Sequence, residues 1–142
     1  MAILNYTTSI KAEKTAGEIQ RKLADAKAQA VMSEYDDNGV ICSMSFRIMS
    51  PNGPLSYRLP INTQGVYKAL MSDRKVPKRL KTKEQAARVA LRILKDWIEA
   101  QIAIVEAEMA DLKEVFLPYA QNTEGKTLYE IASGNDFKLL TG

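Results

Sequence analysis

Residues 31–61 restrict the fold more than any other part of this sequence, because they read as three strands joined by two tight turns. The Asn38-Gly39 pair is a strong hairpin signal, since both residue types tolerate a positive φ. The sequence SPNGP at residues 50–54 imposes a second turn. We therefore predict a three-stranded antiparallel meander with Pro60 at its end.

The second strand has a period of two, which places alternate side chains on opposite faces of a sheet. The side chains predicted to face the core are Val40, Cys42, Met44, Phe46 and Ile48. Those predicted to face solvent are Ile41, Ser43, Ser45, Arg47 and Met49. The single cysteine is thus expected to be an inert part of the core.

Helical spacing predicts a helix before the strands, over residues 11–30, with Ser9 or Thr8 as its cap. A short helix is predicted over residues 63–72. The pair Thr82 and Gln85 has the spacing of a capping box, so a helix should begin at about Lys83.

Good helix formers then continue from Lys83 to Leu117, where Pro118 stops the helix. A helix of that length would measure roughly 52 Å at about 1.5 Å per residue. It is therefore expected either to bend near residues 107–110 or to project. A short helix over residues 126–133 is expected to follow, with Thr127 and Glu130 available for capping.

These elements define an α+β fold with an N-terminal helix, a three-stranded antiparallel meander, a long helix packed on one sheet face and a short C-terminal helix. The length fits a single domain over residues 1–142. The spacing leaves open whether residues 98–142 project from it as a helical part.

Positive charge is concentrated in one part of the chain. Residues 74–95 contain nine Lys or Arg and one acidic residue, whereas the other 120 residues contain 11 basic and 16 acidic groups. The first part therefore carries a net charge of +8 and the rest −5. This separation indicates an anionic partner.

A helix N-terminus carries a partial positive charge, so the basic residues around Lys83 oppose the helix dipole. A phosphate at this terminus would accept backbone N–H bonds and pair with the side chains. The predicted nucleic-acid or phosphate ligands are Arg74, Lys75, Lys78, Arg79, Lys81, Lys83, Arg88 and Arg92, with Arg47 and Arg58 on the sheet. Ion pairs with Glu84, Asp96 or Glu34 are the ordinary alternative for the arginines among them.

The sequence lacks the residues of the common catalytic and metal sites. It contains no histidine and one cysteine, which excludes His-based triads, zinc fingers and cysteine-held clusters. No phosphate-binding glycine loop is present either. We therefore predict a protein that is not an enzyme and has no cofactor or metal.

The second half of the long predicted helix has apolar residues at heptad spacing. They are Ile98, Ile102, Val105, Met109, Leu112 and Phe116. This pattern predicts the interface of a homo-oligomer, although a helix packed against its own domain would show much the same pattern.

The order helix, meander, helix is similar to that of double-stranded RNA-binding domains, and KTKEQAARVALRIL at residues 81–94 resembles the lysine-rich turn that opens their second helix. The inserted residues 62–80 depart from that family. The segments RILKDWIEAQ and EVFLPYAQN resemble a group of small uncharacterised proteins of tailed phages and prophages. That resemblance implies work inside an infected bacterium, in DNA metabolism or against host defence.

The sequence therefore predicts a phage-type nucleic-acid-binding protein that contacts phosphates through a basic loop and a helix N-terminus. The alternative is an oligomeric anti-defence protein that sequesters a nucleotide signal or blocks a host defence protein. Without a membrane-spanning run or a secretory signal, the protein is expected in the cytoplasm, that of the host cell if it is phage-encoded.

Overall fold

The computed structural model describes residues 2–142. The helices and strands, in chain order, are α1 (Ala12–Asp25), β1 (Ala30–Tyr35), β2 (Ile41–Ser50), β3 (Gly53–Arg58), α2 (Thr63–Ser72), α3 (Lys83–Glu106), α4 (Leu112–Val115), α5 (Leu128–Gly134) and α6 (Lys138–Thr141). Single 3-10 turns occupy Lys78–Leu80 and Leu117–Tyr119.

The strands form one antiparallel sheet in the order β1-β2-β3. Its inner face packs against α1 and the long helix α3, which confirms the predicted α+β class and its element order. Ile19 and Leu23 of α1, Met44 and Tyr57 of the sheet and Leu91 of α3 are buried in this main core. Removing this much apolar surface from water is the principal stabilising term for such a layered fold.

A smaller core lies on the other side of the start of α3. Leu70 of α2 and Val76 of the following loop are buried against Ala86 of α3, and Ile3 and Tyr6 of the N-terminal segment pack against the same group. The first turns of α3 are therefore enclosed by the sheet layer on one side and by α2 on the other.

The predicted register of β2 is confirmed for Met44, Phe46 and Ile48, which are buried, but is wrong at the start of the strand. Ile41 is buried and Cys42 is exposed. The cause is a β-bulge: Glu34 lies opposite Ser43, yet Tyr35 lies opposite Ile41, so Cys42 is the extra residue. An extra residue reverses the alternation of faces beyond it.

The first hairpin turn uses a positive φ at Gly39 alone (+75°), whereas Asn38 keeps a negative φ. The Asp36 carboxylate accepts the backbone N–H groups of Asn38 and Val40, both at 2.9 Å. The hairpin is therefore confirmed, with a side-chain acceptor organising its loop.

Helix α3 begins at Lys83 as predicted, because the Thr82 hydroxyl accepts the Gln85 N–H at 3.0 Å. The Gln85 side chain does not complete the capping box. It donates instead to the carbonyl oxygens of Tyr6 and Thr8, both at 2.9 Å. The cap predicted for α1 is wrong, since Lys11 occupies that position and no side chain accepts a capping bond there.

Of the two outcomes expected for the long helix, the bend is the one observed. Helix α3 ends at Glu106, Glu108 takes a left-handed conformation (φ +59°) and Asp111 starts α4 with a capping box. Phe116 then packs its ring against Trp97 of α3 at 5.6 Å, so the chain has folded back along the helix.

The C-terminal helix α5 starts with the predicted capping box of Thr127 and Glu130. The sequence did not indicate α6, a single turn after the left-handed Phe137.

Candidate anion-binding segment

Residues 74–83, which are the loop between α2 and α3 and the first residue of α3, carry six basic side chains on a backbone that is fixed in place. We call them the basic segment. Val76 and Leu80 pack into the smaller core, and the carboxylate of Asp73 accepts the Lys75 N–H at 2.8 Å. Backbone bonds from Leu80 to Pro77 and from Lys81 to Lys78 close the 3-10 turn. These contacts fix the backbone that carries the basic side chains.

The basic side chains of this segment project away from these two anchors. Arg74, Lys75, Lys78, Arg79 and Lys83 are exposed and Lys81 is half-buried. None of these six side chains forms an ion pair or donates a hydrogen bond to any of residues 2–142. Their mutual repulsion is therefore uncompensated, which favours binding of an anion.

The start of α3 adds to the positive potential of the basic segment. The N–H of Gln85 is capped by Thr82, while those of Lys83 and Glu84 have no partner within the helix. The one acidic side chain of the first turn, Glu84, is engaged by Arg88 at 2.7 Å. The helix terminus and its flanking lysines thus present positive charge together.

Two predicted ligands on α3 are engaged within the fold. Arg88 pairs with Glu84, which is the i,i+4 alternative. Arg92 does not pair with Asp96 but with Glu18 of α1 at 3.1 Å, and its side chain is only 16% exposed. Arg92 therefore holds α1 against α3.

Arg92 belongs to a charge network between the two helices. Lys95 contacts Glu18 at 3.5 Å and Glu99 at hydrogen-bond distance, and Glu99 also lies 3.8 Å from Lys22. The hydrogen bond to Lys95 lowers the pKa of Glu99, and the same bond raises the pKa of Lys95. Glu99 therefore stabilises the fold above its unfolded pKa, and this contribution is lost as pH falls through its lowered folded pKa.

The two arginines predicted on the sheet do not join the basic segment. Arg58 pairs with Glu130 of α5 at 2.5 Å and donates to the Gly125 carbonyl at 3.4 Å. The pKa of Glu130 is lowered, chiefly by the Thr127 backbone N–H and then by Arg58. Arg47 is exposed on the outer sheet face, opposite the helices, and neither arginine pairs with Glu34.

The six residues at heptad spacing do not form one continuous helical seam. Helix α3 ends at Glu106, so the last three lie beyond it. Ile98 and Phe116 are fully buried in the main core, Ile102 and Leu112 pack on that core, and Met109 is 75% exposed. Packing within the chain accounts for most of the spacing, which was the alternative reading.

One concave site was missed by sequence reasoning because its walls come from distant parts of the chain. A cavity of about 280 Å³ lies between the start of α1, the β1–β2 hairpin and the start of α3. Ala12, Ala16 and Ala87 are small enough to leave this space. Its charged lining is balanced, with two basic and two acidic residues: Lys11, Arg88, Glu13 and Glu84. Small residues at helical spacing were the only signal of it.

Between residues 2 and 142 no cluster of three acidic or cysteine side chains is arranged to hold a metal ion. Over the same range no helix has the length and apolarity that crossing a membrane requires.

Comparison of the chain with protein-family models, with curated proteins and with solved structures finds no match.

Proposed function

We propose that this protein binds nucleic acid without catalysis, and that the basic segment contacts the phosphate backbone. One observation carries the proposal: six basic side chains lie within ten residues of an ordered loop, and none has an acidic partner among residues 2–142. Elsewhere, by contrast, Arg58, Arg88 and Arg92 are neutralised by carboxylates.

The openness of the basic segment favours a polyanion over a small ligand. Its side chains project from a surface loop, whereas a small ligand is usually bound in a concave site that encloses it. A nucleic-acid backbone repeats its charge along a line and can meet several cations without being enclosed. No groove-reading or base-stacking motif accompanies the segment, so recognition would depend on backbone and shape more than on sequence.

The test is a binding titration against labelled DNA and RNA duplexes and single strands over a range of salt concentrations. The variant is Lys78→Glu, Arg79→Glu, Lys81→Glu and Lys83→Glu together. We expect weaker binding and a flatter dependence of log K on log salt, by about 0.9 for each lost phosphate contact on B-DNA.

A matched control reverses four exposed lysines outside the basic segment: Lys14→Glu, Lys113→Glu, Lys126→Glu and Lys138→Glu. Both variants change the formal net charge from +3 to −5, so they share the same overall repulsion. The proposal is supported if the dependence of log K on log salt is retained in the control and flattened in the first variant. Equal loss in both, or no affinity of the natural sequence at low salt, would refute it.

The predicted alternative, sequestration of a nucleotide, is separated in the same experiment. A panel of cyclic and linear nucleotides in a thermal-shift assay would raise the melting temperature if a small ligand is bound. Stabilisation by a nucleotide together with no binding of DNA or RNA would replace our proposal with that alternative.

A further inference from the structure

The sheet has one covered edge and one open edge. On the far side of β3 the Gln121 N–H donates to the Ser56 carbonyl at 2.8 Å, and Tyr57 forms a bridge with Ala120. No segment among residues 2–142 pairs with the outer edge of β1. An unpaired edge is a template for adding another strand.

The hydrogen-bond pattern identifies which residues face the open edge. The Leu59 N–H donates to the Met44 carbonyl, so the N–H and C=O groups of Met44 point towards β3, and those of its neighbours Ser43 and Ser45 point towards β1. Ser43 and Ser45 lie opposite Glu34 and Met32, whose N–H and C=O groups therefore point towards β2. At the other end of β1 the backbone N–H of Asp36 donates to the Val40 carbonyl, which gives the same alternation. The outward N–H and C=O groups belong to Val31, Ser33 and Tyr35.

The side chains of β1 give this edge little protection. The strand AVMSEY has none of the lysines or prolines that usually prevent edge pairing, and Glu34 is its one charged residue. Tyr35 is 58% exposed. The Ser33 hydroxyl is buried without a hydrogen-bond partner, the only such side-chain atom among the described residues. An unsatisfied buried polar group is costly and calls for a partner.

We propose that β1 pairs antiparallel with β1 of a second copy of this chain, with the twofold axis at Ser33. The two sheets then join into one continuous sheet. Ser33 lies opposite Ser33 of the second copy, and Val31 lies opposite its Tyr35. All three outward-facing residues of each chain form backbone bonds, about six in total.

This register satisfies more hydrogen-bonding groups than the registers shifted by one or two residues. A slip of one residue would pair side chains of opposite faces. An axis at Met32 would place Ser33 opposite Val31 and leave Tyr35 without a partner, and an axis at Glu34 would place two carboxylates face to face. With the axis at Ser33, rotation about χ1 of both Ser33 side chains brings their hydroxyls together between the two strands. The exposed Tyr35 ring of each chain is covered by Val31 of the second copy.

The self-complementarity of this short strand is what favours a second copy over an unrelated chain. The same residues serve both sides of a twofold interface, as a closed dimer requires. The interface uses the sheet edge alone, so it is independent of the residues at heptad spacing in α3 and of the basic segment.

The register can be read by cysteine cross-linking in a Cys42→Ser background under mild oxidation. Ser33→Cys should give a covalent dimer, because residues in a hydrogen-bonded pair have Cα atoms about 5.5 Å apart, which a disulfide can bridge. Met32→Cys and Glu34→Cys should cross-link at least tenfold less, since their Cα atoms would be about 8 Å from their own copies. Equal cross-linking at all three positions, or most at 32 or 34, would overturn the register.

Light scattering and hydrogen exchange on the natural sequence test the pairing itself. We expect twice the 15.8 kDa chain mass at tens of micromolar, with slower exchange at the Val31, Ser33 and Tyr35 amides as concentration rises. The Met32 and Glu34 amides, already bonded to β2, serve as internal controls whose protection should not change. A 15.8 kDa mass with unprotected odd-numbered amides would overturn the proposal.

Discussion

The position of Cys42 shows how much one inserted residue alters the chemistry of a side chain. The bulge turns this thiol to solvent and turns Ile41 into the core, without breaking the pairing of β1 with β2 on either side. Bulges often redirect a side chain in this way. The thiol is therefore accessible to reagents, whereas Met44, two residues further along the strand, is fully buried.

We expect Cys42 to react with a maleimide in the folded protein without denaturant. Cys42→Ser should change the free energy of unfolding by less than about 0.5 kcal/mol, as for other exposed substitutions. The control is Met44→Cys in the Cys42→Ser background, whose thiol should react only on unfolding. A Cys42 that needs denaturant to react would contradict the exposed position.

At the scale of elements, Gln85 connects the N-terminal segment to the start of α3. Its side chain is 3% exposed and its amide nitrogen donates to two backbone carbonyls, so one residue satisfies two acceptors far away in sequence. Thr82 beside it holds the helix start. The orientation of the helix that follows the basic segment thus depends on a contact about 80 residues distant in sequence.

Gln85→Glu should destabilise the protein by about 1–3 kcal/mol, because a carboxylate of nearly the same shape offers no donors to the carbonyls of Tyr6 and Thr8. Urea unfolding measures the change. Gln20→Glu on the exposed side of α1 is the control and should cost less than about 0.5 kcal/mol. Unchanged stability of the Gln85 variant would show that these two bonds do not hold the segment.

The elements could be predicted where local patterns determine them. The meander, α2 and the start of α3 follow from turn residues, alternation and a capping threonine. The bulge at Cys42 could not, because it depends on pairing with β1. The break after Glu106 was expected only as one of two outcomes, because good helix formers continue through it. Burial of Phe116 in the main core, which requires the chain to turn back, is a tertiary contact that the local sequence does not show.

The candidate site could likewise be predicted only in part. The basic segment follows from charge density along the sequence, and its residues are exposed and unpaired among residues 2–142. The roles of Arg92 and Arg58 do not follow from sequence, because Glu18 and Glu130 reach them from other elements. The number of charged residues can be read from a sequence, whereas the ion-pair partner of each one depends on how the elements pack.

At the scale of the whole molecule, Phe116 joins the C-terminal quarter of the chain to the sheet and to α3. Its ring packs against Phe46 at 5.3 Å, Trp97 at 5.6 Å and Tyr57 at 6.3 Å. Edge-to-face packing at these distances adds to the gain from burial. One aromatic side chain therefore links three parts of the fold.

Phe116→Ala should destabilise the protein by about 3–5 kcal/mol, the usual cost of removing a large buried aromatic side chain. Thermal and urea unfolding measure it. Leu139→Ala, at a position that is 88% exposed, is the control and should leave stability within about 0.5 kcal/mol. A small effect of Phe116→Ala would mean that residues 107–142 do not pack against the sheet.

The unpaired charges of the basic segment also make the charge of the molecule uneven. Residues 74–83 carry +6 and the other residues sum to −3, which gives the net +3. A negatively charged surface attracts the basic segment first, so a cation exchanger should hold the protein in one preferred orientation at low ionic strength.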